Sequence, residues 1–304
     1  MLRAVACVFV IACSGVNGQP ASPSAPLELI VLGSGGPRTF GRACTSYVIV
    51  IDGTPRILVD AGPGAFVRFG ELKLDLEPIE TVLLTHLHID HSGDLPGFFK
   101  ARTLSSRGPI RFNVFGPAGA SMFPSTTRFL QLLFEKGGAF EYQKTFGVHE
   151  DIQGTDLPVD MRAQEREIVS TGGWRVTEIA THHGDCPSIA YRIEYKGHSV
   201  TFSGDMDASA LSNLERLAKG SDVLVFHCAV LDPPASPAQL YDLHTPPRKI
   251  GEAARAAGVK RLLLSHIPPV VEENRAAVLA SIHASYPGKT ELATDRMRIV
   301  VSEP

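Results

Sequence analysis

THLHIDHSGD (residues 85–94) places three histidines and two aspartates in ten positions, and the arrangement of those five side chains decides what fold must surround them. His86 and His88 alternate, so if the apolar run TVLLT (81–85) continues through them as a strand, both imidazoles project from one face and can grip one ion. Asp90 and His91 follow where the chain is expected to turn into a helix. There a carboxylate and an imidazole suit a second Zn²⁺ or similar ion. H-x-H-x-D-H thus reads as half of a two-metal site, and its missing ligands must come from elsewhere in the chain.

The chain has several such sources. Short runs rich in Val, Ile and Leu end on residues able to bind metal: ILVD at Asp60, VTFSGD at Asp205, VLVFH at His227 and RLLLSH at His266. Runs of this kind are expected to be strands buried on both faces, and in layered α/β architectures the loops at strand ends collect chemistry from distant segments. Helices are predicted over 207–220, 246–258 and 271–286, with the first two closed by a glycine. Two sheet-and-helix halves, 27–170 and 171–304, then form a sandwich with helices outside. On chemistry alone, His183 in THHGDCPSIAYRIE completes the first ion, with His182 as its rival. His266 completes the second, and Asp205 bridges both, because a carboxylate can span two ions where an imidazole serves one.

With 304 residues the chain can bury a large core, and its net charge of −3 has no basic stripe of the kind that tracks a phosphate backbone. Tight electrostatic binding of long nucleic acid is therefore not expected. Arg3 followed by the apolar run 4–12 reads as an export signal over residues 1–18, too short to span a bilayer. Two processing routes fit: cleavage before Gln19, or a lipoprotein box with Cys13 as the lipid anchor. Either places the protein in the bacterial periplasm or outside the cell, with QPASPSAP (19–26) as a linker and 27–304 as one domain. Cys44, Cys186 and Cys228 make no disulfide framework; a Cys186–Cys228 bridge is open, with buried free thiols the simpler state.

Nine of fifteen phenylalanines fall between Phe98 and Phe146, a density expected of core packing, with an apolar wall or lid as the alternative. GSGGP (33–37) lacks the features of a phosphate-binding loop and reads as a turn.

LVDAGPGA (58–65), THLHIDHSGDLPG (85–97), VFGPAG (114–119), THHGDCPSIAYRIE (181–194), FSGDMD (202–207) and HTPPRKIGEAARAAGVKRLLLSHIPP (244–269) together resemble the metallo-β-lactamase superfamily, in its ribonuclease Z and arylsulfatase-like branch. The resemblance runs from about Leu27 to His266. It implies an αββα four-layer sandwich with two zinc ions, Mn²⁺ or Fe²⁺ being alternatives, at the open edge of the sheets. It also selects His183 over His182, makes Asp60 and His227 supporting residues rather than ligands, and gives His244 the task of protonating the leaving group. A homodimer is a family expectation.

Two departures bear on substrate. Where ribonuclease Z carries His-Glu-Ala-Thr, this chain has His227-Cys228-Ala229-Val230, and it lacks a long glycine- and lysine-rich insertion. The resulting expectation is an exported zinc hydrolase with Asp90 orienting the attacking water, acting on a small phosphodiester or aryl sulfate ester, then on carboxylic esters, lactones or β-lactams. A tRNA 3′-processing endoribonuclease, a mononuclear iron oxidoreductase and a non-catalytic envelope metal protein rank below these. Ligand roles for Cys186 and Cys228 are not expected, and His149, His198 and His283 are expected to be solvated or packing residues.

Overall fold

A computed structural model of the chain describes residues 25–38, 40–105, 109–120, 122–146 and 150–301. The expected signal over 1–18 with its Cys13, most of the linker, and His149 lie outside the described residues. Two seven-stranded sheets face one another, and helices cover both outer faces.

The first sheet opens with β1 (Leu27–Gly33), β2 (Ser46–Ile51) and β3 (Thr54–Val59), joined as antiparallel neighbours. The β2–β3 turn is Asp52-Gly53, both at positive φ, the geometry that matches a two-residue turn to strand twist. After α1 (Ala65–Glu71) the chain turns parallel through β4 (Thr81–Leu83), followed by α2 (Ile89–Ser92) and α3 (Leu95–Ser105). Next come β5 (Ile110–Pro117), α4 (Thr126–Phe134) and β6 (Glu150–Leu157).

The second sheet begins with β7 (Arg166–Thr171), β8 (Trp174–His183), β9 (Cys186–Tyr195) and β10 (His198–Phe202) as an antiparallel meander. It too turns parallel, through α5 (Leu211–Leu217), β11 (Val223–His227), α6 (Pro247–Ala257) and β12 (Arg261–Ser265). Then α7 (Pro269–Glu273), α8 (Arg275–His283) and β13 (Lys289–Leu292) complete it. The last strand, β14 (Arg298–Val301), crosses back to pair with β1. The expected division into 27–170 and 171–304 is corrected on both sides: β7 already belongs to the second sheet, and β14 to the first.

Between the sheets lies an apolar core of alternating strand residues, among them Leu29, Tyr47, Val59, Tyr191, Phe202 and Val225, all fully buried. The helix-covered outer faces are equally apolar, which is why the central strands read as continuous hydrophobic runs. Most of the phenylalanine-rich segment fills one of these faces: Phe98, Phe99, Phe112 and Phe134 pack under α1, α3 and α4. The predicted helix 207–220 is shorter, a 3₁₀ turn over Ala208–Ala210 and then α5, and the one over 271–286 breaks at Asn274 into α7 and α8. The helix over 246–258 is present, closed by Gly258 at φ 65.

Both runs of parallel strands finish at the same edge of the sandwich. Asp60, Thr85 to His91, Asp205, His227 and His266 all follow or close those strands, so the topology alone gathers them. The two sheets are tied there by the Ile189 N–H donating to the Thr85 carbonyl at 2.9 Å and by the Tyr191 hydroxyl donating to the Leu84 carbonyl at 2.9 Å.

Candidate metal centre

The strand expected to carry His86 and His88 ends at Leu83, so the two histidines stand in the loop before α2. Strand alternation does not aim them. They converge nonetheless, with His86 Nε2 and His88 Nδ1 3.0 Å apart, because Thr85 is anchored by Asp60. The Thr85 N–H donates to Asp60 Oδ1 at 2.7 Å and its hydroxyl to Oδ2 at 2.9 Å. With that hydroxyl proton committed, Thr85 Oγ1 accepts from His86 Nδ1 at 3.2 Å, which leaves His86 Nε2 free to bind. Asp60 Oδ2 also accepts from His91 Nδ1 at 2.8 Å, and the same logic frees His91 Nε2. Asp60 therefore holds two ligand-type imidazoles by their far nitrogens and lies behind them.

Two groups of donors form. His86, His88 and His183 make one: His183 Nε2 is 3.3 Å from His88 Nδ1, and its Nδ1 donates to the Leu243 carbonyl at 2.8 Å. Asp90, His91 and His266 make the other, with Asp90 Oδ2 3.1 Å from His266 Nε2 and 3.6 Å from His91 Nε2. Asp205 Oδ2 sits between them, 3.9 Å from His86 Nε2, 3.7 Å from His183 Nε2, 3.6 Å from His91 Nε2 and 3.3 Å from His266 Nε2. His182, the rival of His183, points elsewhere and pairs with Asp207 at 2.6 Å. Cys186 comes closer than expected, its sulfur grouped with His86 and His88, while Cys228 is buried in the core under α5 and α6. All three described cysteines are free.

These residues fit a divalent metal. Nitrogens about 2.0–2.1 Å from a tetrahedral ion stand roughly 3.3 Å from one another, and the donor separations here cluster around that value. His91 Nε2 is buried with no hydrogen-bond partner, a cost that a coordinated ion removes. Imidazole and carboxylate donors suit zinc and its neighbours.

Electrostatics divide this donor set. Burial holds His86 well below the usual histidine range, with His91 adding to it, and burial likewise lowers His88 and His183. His91 goes the other way: burial would lower it, but the Asp60 and Asp205 carboxylates raise it well above. For Asp90, burial works upward, yet the His266 hydrogen bond and neighbouring imidazoles bring it down to about 2. Asp205, fully buried, is also held low because His266 and His91 outweigh its burial.

These shifts carry a prediction for the metal-stripped protein. His86, His88, His183, His227 and His244 all have lowered values, so below about pH 6.5 the unfolded chain takes up protons that the folded chain refuses. Their contribution is whole above that pH and is lost as pH falls toward the folded values. His91 alone acts in reverse, stabilising the fold below about pH 6.5. Thermal melts after chelation are expected to show a Tm lower by roughly 5 °C or more at pH 5 than at pH 7.5. A Tm that holds or rises on acidification would contradict this balance.

The sequence reading missed the glycine loop. Gly36 is packed against His266: a Cβ there would stand 2.5 Å from His266 Cε1 and 2.8 Å from Nδ1. His266 itself is at φ 58, a strained conformation for a residue with a side chain, and the loop is what holds its ring. Gly36→Ala is expected to tilt that ring and weaken metal binding about tenfold, read by chelator competition. Among the described residues of the phenylalanine-rich segment, Phe123 is the aromatic that meets the centre, its ring 5.5 Å from that of His88. His244 lies over both donor groups, 5.3 Å from the His183 ring and 5.6 Å from the His266 ring, and burial holds it down at about 3.

A family model described as beta-lactamase superfamily domain matches residues 55–267. Ribonuclease Z of Mycobacterium avium (strain 104) is 28% identical over 292 residues, covering 91% of this chain and 99% of the relative. Among solved structures, human tRNase Z, short form, superposes with a TM-score of 0.69 at 20% identity over 91% of this chain and all of that one. The metallo-beta-lactamase fold protein YhfI from Bacillus subtilis gives the same TM-score and identity over 90% of this chain and 99% of that one.

The ribonuclease Z relatives overturn the expectations that placed small phosphodiesters and aryl sulfate esters first, ribonuclease action low, and long nucleic acid outside the set of partners. Two physical reasons lie behind the error. Position 228, where a glutamate was sought, faces the core under α5 and α6 rather than the donor groups. And the lack of a basic stripe speaks only to binding along a backbone, whereas a metal centre supplies its positive charge at one phosphate.

Proposed function

The chain belongs to the metallo-β-lactamase superfamily, in the branch that includes ribonuclease Z, and from that membership we propose that it is a metal-dependent endoribonuclease that cuts tRNA precursors near their 3′ ends. The observation that carries the chemistry is Asp205 Oδ2 within 3.3–3.9 Å of four imidazole nitrogens drawn from both donor groups. One shared oxygen with three further donors on either side is a layout for two ions side by side, and zinc is the ion we assign. When bound, such ions polarise a phosphoryl oxygen and acidify water.

The chain's own residues do the rest. Asp90, ionised at neutral pH, accepts a hydrogen bond from the attacking water and receives its proton. His86, His91, His183 and His266 stay oriented because their neighbours fix their rings, so no reorganisation is needed as charge develops. Burial keeps His244 neutral, and its Nδ1 has no partner. A phosphodiester anion arriving beside it raises its proton affinity, so that His244 takes up a proton from solvent as substrate binds and then donates it to the leaving oxygen. Asp90 and Asp205 offset only part of the charge of two divalent ions, and the surplus favours a phosphate over a neutral ester.

A labelled tRNA precursor with a 3′ trailer, incubated with zinc-reconstituted protein, tests the reading. One endonucleolytic cut is expected, abolished by chelation and restored by added zinc. Metal-replete protein that leaves the precursor intact would overturn it.

A further inference from the structure

Asp205 has two oxygens, and only Oδ2 faces the donor groups. Its Oδ1 is 2.7 Å from His227 Nδ1, and His227 Nε2 is 3.1 Å from the hydroxyl of Tyr47. All three side chains are buried, and they come from three separated places: β2 in the first sheet, the end of β11, and the loop after β10. An ionised carboxylate can only accept, so His227 Nδ1 must carry the proton. A neutral imidazole protonated there has a lone pair on Nε2, so the Tyr47 hydroxyl must be the donor to it. Among the described residues no other hydrogen bond reaches His227 Nε2.

We propose that Tyr47 is a positioning residue for the metal centre, fixing the ring of His227 so that Oδ1 of Asp205 is held and Oδ2 is presented to both ions. Without the hydroxyl, His227 Nε2 is left buried with no donor and the ring loses the contact that fixes its angle. Nδ1 can then shift, and Asp205 Oδ1, which it holds, can rotate with it. The inference rests on Asp205 being the shared donor of the proposed function. It extends that reading to a residue on the opposite sheet, about 160 positions earlier in the chain as the sequence is numbered.

Metal affinity, measured by chelator competition and by the absorption bands of the cobalt-substituted protein, provides the test without recourse to activity. Tyr47→Phe keeps the ring against Phe202, 5.0 Å away, and removes only the hydroxyl. It is expected to weaken metal binding about tenfold and to shift the cobalt bands. His227→Asn places an amide N–H where Nδ1 stood and has no Nε2, so it should bind metal within about threefold of wild type. His227→Phe, with no donor, should lose about 10–100-fold.

The double variant is decisive. Adding Tyr47→Phe to His227→Asn should cost nothing further, since the atom Tyr47 addresses is gone, whereas a packing role for Tyr47 would cost the same in both backgrounds. Equal losses, or an unchanged affinity in Tyr47→Phe alone, would overturn the relay. Wild-type protein that takes up one ion instead of two would refute the dinuclear reading separately, and the relay would then be read on that one ion.

Discussion

Asp205→Asn is expected to bind no more than one ion per chain, with metal affinity lowered by more than about a hundredfold, the upper end of what a lost outer-shell contact costs. The reason is geometric. Among the described residues, Asp205 Oδ2 is the one carboxylate oxygen within 4 Å of imidazole nitrogens from both donor groups, so no other of them can replace it from one side without abandoning the other. Asparagine keeps the volume but removes the charge that offsets the ions. Turnover on an RNA substrate should fall below detection at ordinary metal concentrations. The fold should survive, because the apolar core between the sheets does not involve this residue. Metal analysis after dialysis and a circular dichroism melt separate the two effects: a variant that folds and still holds two ions would remove Asp205 from the centre.

Asp90→Ala should lower kcat by about 10³–10⁴-fold even when excess metal is supplied. Asp90 differs from Asp205 in reaching only the second group, through His266 at 3.1 Å and His91 at 3.6 Å. Its loss should weaken one ion and spare the other, so a titration is expected to split into a tight and a weak step. Added metal that restores occupancy but not turnover would mark Asp90 as the residue that handles the proton. Full activity with two ions bound would refute both of its roles. The contrast between the two aspartates, one removing binding and the other chemistry, is what the proposed mechanism requires.

The fold class and most of the centre were legible in the chain because they depend on local patterns. Apolar runs ending in Asp or His mark buried strands whose carboxyl ends carry chemistry, and H-x-H-x-D-H is dense enough to stand out from composition. Function was less legible. The lack of a glutamate at position 228 bears on substrate only if that position faces the metal, and only the packed structure places the side chain there under α5 and α6, away from the donor groups.

By itself the sequence determined which side chains can offer metal donors, that they lie at or shortly after strand ends, and that two layered halves must bring them together, since ligand type and hydrophobic period are written residue by residue. Tertiary structure alone decided the rest. It set His183 against Leu243 and sent His182 to Asp207, it aimed His86 and His88 through Asp60 instead of strand alternation, and it pressed Gly36 onto His266. It also brought Tyr47 to His227. Those contacts join residues far apart in the chain, and hydrogen-bond direction and steric contact between them exist only once the two sheets have closed on one another.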